Sequence, residues 1–202
     1  MAQNRRDLIA DAAIRLLARD GLRGLTHRGV DREAGLPSGS TSYYTPTRDS
    51  LIELVAHRLA GRSAGDIAVL FAELERLATA DGTQAGGARF EALAQVLDGF
   101  VHRLAARSDD QRARYALMID LIEHESIRGI LTSTSPMVGP ALDASRGLLA
   151  RLGLDLTPEQ AQNLVLLTDS LVFALVSRMG YGYVRLDTES VLRAYLTSLA
   201  EA

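Results

Sequence analysis

The 202-residue sequence predicts an all-α fold, a three-helix N-terminal domain followed by a larger helical body, with about nine helices in all. Two observations carry that prediction. Apolar residues recur at helical spacing in one segment after another, and no segment shows the alternation of a half-buried strand. Glycine and proline stand at the breaks between those segments, where chain reversals need them.

Leu8, Ile9, Ala12, Ala13, Leu16 and Leu17 place one apolar face on a first helix, which Gly21 stops. Thr26 offers an N-cap for a short helix over 27–34, with Val30 and Ala34 toward the core and Gly35 ending it. After Gly35-Leu36-Pro37 comes SGSTSYY, too polar to be held by its own amphipathicity, so something else must require those hydroxyls. Pro46 blocks continuation, and Thr47-Arg48-Asp49 opens a long fourth helix carrying Leu51, Ile52, Leu54 and Val55 to the Leu70–Leu77 region despite Gly61 and Gly65. Residues 80–87 read as a loop. Phe90, Leu93, Leu97, Phe100, Val101 and Leu104 trace one further stripe, and Tyr115, Met118, Ile119 and Ile122 another. A helix over 126–152 is disturbed by Pro136, Gly139 and Pro140. Thr157-Pro158-Glu159-Gln160 is a capping-box start, and the helix it opens is apolar around nearly its full circumference, from Leu164 to Val176. The Gly180–Tyr183 loop precedes a last helix with Val191, Leu192, Tyr195, Leu196 and Leu199.

The absence of cysteine excludes disulfides, thiolate metal sites and cysteine nucleophiles. No signal-peptide core or membrane span is read in the sequence, so a soluble cytoplasmic protein is expected. Net charge is −3, which argues against nucleic-acid binding by the whole surface, but the charge is unevenly placed. Residues 1–58 hold nine arginines against seven acids, while the remainder carries thirteen basic and eighteen acidic side chains. A mildly basic N-terminal third thus precedes an acidic body, the sign that suits a phosphate-facing head.

Residues 26–44 supply in order the parts of a helix-turn-helix: a short first helix, a glycine turn, and a second segment dense in groups that donate and accept hydrogen bonds. On these residues LTHRGVDREAGLPSGSTSYYTPTRDSL resembles the DNA-binding signature of the TetR family, with Ser42 where the family usually has tyrosine and Thr45 where it usually has phenylalanine. The resemblance implies a helix-turn-helix domain over 1–47 and a ligand-binding and dimerisation domain over 48–202. Carried over by position, it implies that His27 and Arg28 approach a base edge or phosphate, Arg28 being the candidate for a bidentate guanine contact. It implies further that Ser38, Gly39, Ser40 and Thr41 face the groove. Tyr43 and Tyr44 would offer hydroxyls to phosphate, and Thr47 and Arg48 would clamp a phosphate. The partners so implied are a double-stranded DNA operator, a small-molecule effector and a second copy of the chain, with no membrane, cofactor or metal.

In the body, Phe71, Phe90, Phe100, Tyr115, Met118, Ile122 and Met137 are candidates to line an apolar ligand cavity, part of the set being ordinary core. Leu164, Leu167, Leu171, Leu175, Leu192, Tyr195 and Leu196 are expected at a four-helix dimer interface, because one protomer has no surface to hide so full a circumference. Rival readings are a helical metal enzyme using Asp98, His102, Asp120 and His124, and a helical protein-binding adaptor.

Overall fold

The computed structural model describes residues 2–79, 86–121, 123–133, 139–177 and 186–200, and among these every regular element is a helix. Ten helices are present among the described residues, one more than the sequence count, because the stretch expected as one helix over 126–152 contains two, α7 (Glu125–Ser133) and α8 (Gly139–Arg151). Residues 80–85, Ile122, Met137 and the 180–183 loop lie outside the described residues.

The chain forms two compact units, the first from residues 1–63 and 107–134, the second from 64–106 and 135–202. In the first, α1 (Ala2–Gly24) supplies Ile9, Ala12, Ala13, Leu16 and Leu17 to a core closed by Leu25 and by Val30 of α2 (His27–Glu33). The left-handed backbone at Gly21, φ +67°, interrupts α1 where the sequence places its stop. The remaining core comes from Leu51, Ile52, Val55, Ala56 and Leu59 at the start of α4 (Arg48–Thr79), Ala113 and Leu117 of α6 (Ser108–Asp120), and Ile127 and Leu131 of α7. Half-buried ion pairs join three of these helices: Arg58 reaches Asp11 at 2.9 Å, and Arg62 reaches both Asp11 and Asp110 at 2.6 Å.

The second unit is built on α5 (Gly86–Ala106), α9 (Pro158–Ser177) and α10 (Thr188–Ala200), with Leu74 of α4 and Leu149, Leu152, Leu154 and Leu156 in and after α8 filling the rest. The capping box at α9 is as the sequence reads: the Thr157 amide donates to Gln160 Oε1 at 2.8 Å, and the Gln160 amide donates to Thr157 Oγ1 at 3.2 Å. By length and composition α9 is apolar enough to cross a membrane, yet Leu164, Leu171 and Val172 belong to this core.

Four of the expected dimer residues are taken up within the protomer. Leu164, Leu171, Leu192 and Leu196 are buried in their own protomer's core, and Leu167, Leu175 and Tyr195 pack against it. The body absorbs most of the apolar circumference of α9 itself, because α5 and α10 both lie against that helix. What remains outward are Leu166 and Phe173 on α9 and Val191 on α10. Replacing Leu192, which is fully buried, with alanine is expected to cost about 2–5 kcal/mol in denaturant unfolding. A loss below about 1 kcal/mol would remove it from the core.

Candidate nucleic-acid interface

The hydroxyl-rich segment is a single short helix, α3 (Ser40–Tyr44), and the group that requires its hydroxyls is a carboxylate on α2. Asp31 is almost fully buried and faces the start of α3. Its Oδ2 accepts from the Gly39 amide at 2.8 Å, and its Oδ1 accepts from the Thr41 amide at 2.8 Å and the Thr41 hydroxyl at 2.6 Å. Gly39 sits at φ +92°, a left-handed conformation that glycine adopts without the Cβ penalty, and so turns its N–H onto the carboxylate. A negative charge at the positive end of the helix, with three donors, replaces the side-chain cap that α3 lacks. Burial raises the Asp31 carboxyl, but the hydrogen bonds from Thr41 and Gly39 outweigh it, and with the nearby His27 they hold Asp31 below the ordinary carboxylate range.

The other end of α3 is fixed as firmly. Thr45, where a phenylalanine is usual in the resembled signature, is buried, and its hydroxyl donates to the Thr41 carbonyl at 2.9 Å. The Thr45 carbonyl lies 2.6 Å from His27 Nε2 and accepts a hydrogen bond from it. Hydrogen bonding thus takes the place of aromatic packing at this position. Upstream, the Thr26 cap is present, its Oγ1 accepting from the Gly29 amide at 3.0 Å.

With both ends held, the side chains sort into inward and outward sets. Thr41, expected to face a groove, is instead fully buried on Asp31. His27 is half-buried, with one ring nitrogen bound to Thr45. Tyr44 packs on the core, while Tyr43 is 80% exposed and meets the Tyr44 ring edge-on at 5.1 Å between centroids. Ser38, Gly39, Ser42 and Tyr43 are exposed, and Ser40 is half-buried with its hydroxyl on the Pro37 carbonyl at 2.7 Å. Thr47 caps α4 reciprocally with Ser50, at 3.1 Å in each direction. Arg48 is exposed but spends one donor on the Leu22 carbonyl at 2.6 Å.

Arg28 is exposed, and among the described residues no carboxylate pairs with it. The same holds for Arg23 and Arg32, which the sequence reading did not single out. By contrast, Arg15 pairs with Glu33 at 3.0 Å and Arg19 with Glu33 at 3.2 Å and Asp20 at 3.1 Å, and the Arg15 hydrogen bond foremost holds Glu33 below its ordinary range. Free and paired arginines look alike in sequence; only helical register separates them.

Of the proposed cavity set, Phe71, Phe90 and Phe100 belong to the second unit, whereas Tyr115 and Met118 belong to the first. Phe100 is buried and Phe90 packs on the second core, Met118 is exposed, and Tyr115 stacks under Arg114 at 5.1 Å. Ile122 and Met137 fall outside the described residues. The residues of the rival metal reading also divide: Asp98 and His102 meet in the second unit around the buried Thr188 hydroxyl, which donates to Asp98, while Asp120 and His124 lie in the first. Among the described residues no three His, Asp or Glu side chains gather as a metal site.

Comparison with known proteins bears on the other half of the chain. Residues 88–202 match the family model described as the tetracyclin repressor-like C-terminal domain. The chain belongs to the TetR family. It is therefore a transcriptional regulator and not an enzyme, and the metal-enzyme reading is set aside. A TetR-family member from Streptomyces coelicolor is 26% identical, with a TM-score of 0.63 over 96% of this chain and 97% of that one. The multidrug binding protein EbrR, in complex with imidazole, is 26% identical, with a TM-score of 0.59 over 96% of this chain and 94% of its own. A transcriptional regulator from Rhodococcus shares the fold at 19% identity, with a TM-score of 0.65 over 97% and 96% of the two chains. No curated protein sequence matches the chain. The TetR match and the helix-turn-helix lie in different parts of the sequence, so they are separate grounds for one assignment.

The lowered Asp31 pKa fixes a pH dependence. A carboxyl whose folded pKa is depressed adds stability that is fully present above its unfolded value and is lost as pH falls toward the folded one. Asp31→Asn is expected to be less stable at neutral pH and to lose part of the decline that the parent shows below about pH 4 in denaturant unfolding. Parallel pH profiles for the two proteins would show that the carboxylate contributes no such linkage.

Proposed function

We propose that this TetR-family regulator is a ligand-responsive repressor, that residues 1–47 form its DNA-binding domain, and that two copies bind a near-palindromic operator. The observation that carries the reading is the sorting of α3: Thr41 and Tyr44 turned inward, Ser42 and Tyr43 turned outward, and the free arginine Arg28 on the helix before it. A groove-reading helix needs its own polar groups satisfied from behind so that its outer face is left for base edges and phosphates.

Arg28 is assigned the base contact, in bidentate form to guanine. Tyr43 donates its hydroxyl to phosphate, with Ser38, Ser40, Ser42 and the open backbone at Gly39 beside it. Thr47 and the first amides of α4 meet a neighbouring phosphate, and Arg23, Arg32 and Arg48 add positive charge. His27, Thr41 and Tyr44 act by holding the helix. The body spanning 48–202 takes a small-molecule effector and pairs with its mate through the outward stripe of Leu166, Phe173 and Val191. EbrR, with which this chain shares the fold, has been solved with proflavin and with ethidium, which makes those two dyes the first probes for an effector. A DNA-binding regulator of this kind works in the cytoplasm.

Operator preference is measured by selecting bound sequences from random duplex DNA at two salt concentrations, since counterion release makes phosphate-driven affinity fall with salt. Arg28→Ala is expected to lose about 1–3 kcal/mol on the selected sequence and to relax preference at one base pair. Tyr43→Ala is expected to weaken binding across all sequences. Selection that enriches no sequence, or an Arg28→Ala protein with unchanged affinity and preference, would contradict the proposal.

A further inference from the structure

His27 holds the end of α3 with one ring nitrogen and has a second one to use. Its Nε2 lies 2.6 Å from the Thr45 carbonyl, and a carbonyl oxygen only accepts, so Nε2 carries a proton whatever the charge of the ring. An imidazole in water samples two neutral tautomers; the fold selects one here, with Nε2 protonated and a lone pair on Nδ1. Among the described residues nothing bonds to Nδ1.

The position of the ring gives that selection a consequence. His27 opens α2 between the exposed Thr26 and Arg28, and the carbonyl that anchors it is followed by the exposed Pro46, Thr47 and Arg48. The half-buried ring thus stands where the start of α2 meets the start of α4, among the residues assigned above to base and phosphate. A phosphate oxygen accepts hydrogen bonds and carries negative charge. Facing it, a neutral His27 sets lone pair against lone pair, whereas a protonated one offers an N–H and a positive charge.

We propose, on the regulator reading above, that His27 makes operator binding proton-linked: as each head meets DNA, Nδ1 takes up a proton from solvent and donates it to a backbone phosphate oxygen. Because binding takes up protons, affinity rises as pH falls through the range in which imidazole changes charge. Charged groups on the adjoining elements do not titrate there. Asp31, one turn further along α2, interacts with His27 and is held below the ordinary carboxylate range. Arg28 adjoins His27 on α2, Arg23 lies at the end of α1, and Arg48 and Asp49 open α4, with Arg48 turned onto the Leu22 carbonyl. Guanidinium and carboxylate side chains ordinarily keep their charge between about pH 6 and 8.

Glutamine in place of His27 retains an N–H for the Thr45 carbonyl and cannot take up the proton, so His27→Gln separates anchoring from proton uptake. The duplex returned by the selection above is titrated by fluorescence anisotropy at about pH 6 and about pH 8, either side of the imidazole range. The parent is expected to bind it about tenfold more tightly per head at the lower pH, roughly the worth of one charge-assisted hydrogen bond, and His27→Gln is expected to lose that difference. The exposed His57, His102 and His124 are present in both proteins and cancel in the comparison. Equal pH dependence in the two proteins would overturn the proposal. Should His27→Gln fail to fold, imidazole nitrogen NMR shifts of the parent decide. A proton on Nε2 in the free protein and a His27 titration that moves to higher pH when the duplex is added support the link; a proton on Nδ1 instead, or an unmoved titration, overturns it. A selection that enriches no sequence at either pH contradicts the regulator reading itself and removes the proton link with it.

Discussion

One buried carboxylate organises the helix-turn-helix of this protein. Asp31 carries a negative charge into a nearly closed site, a costly act unless donors replace the lost water. Three do so, two of them backbone amides at the start of α3. Because a five-residue helix is too short to be stable alone, its geometry is set from outside, and Asp31 is the external group. Thr45 and His27 fix the far end, so that α2 holds α3 at both of its termini.

That arrangement explains why the segment is polar without being a loop. Some hydroxyls face inward and satisfy the carboxylate or a carbonyl, as those of Thr41 and Thr45 do. Others, on Ser38, Ser42 and Tyr43, are left to solvent on one side. A helix packed by apolar contacts would need bulky residues at the positions the threonines occupy. Here hydrogen bonds do the holding, which leaves Ser42 and Tyr43 on the outer face exposed. The second unit follows a different rule, with leucines from α5, α8, α9 and α10 making an apolar core and half-buried or exposed ion pairs lying around it.

The fold was largely legible because its signals are local. Gly21 breaks α1 near its end, Thr26 caps α2, and Thr157 with Gln160 opens α9, each through local backbone or contacts within a few residues. The helix-turn-helix was legible for the same reason. Partnership across the chain was not. Nothing in the order of residues tells Asp31, ten positions from Thr41, apart from a solvated aspartate, and nothing assigns Thr41 inward and Ser42 outward before α3 is docked. Leu171 and Leu192 were expected at an interface because an excess of apolar surface can be buried against either the same chain or a copy of it, and periodicity does not distinguish the two.

Amide hydrogen exchange in the free protein tests the role of Asp31 most directly. The Gly39 and Thr41 amides, one outside α3 and one in its first turn, have no helical acceptor and owe their protection to a single carboxylate. The account predicts that both exchange as slowly as the Val30 amide in the middle of α2. Exchange of these two at the rate of unstructured chain, with Val30 still protected, would contradict it.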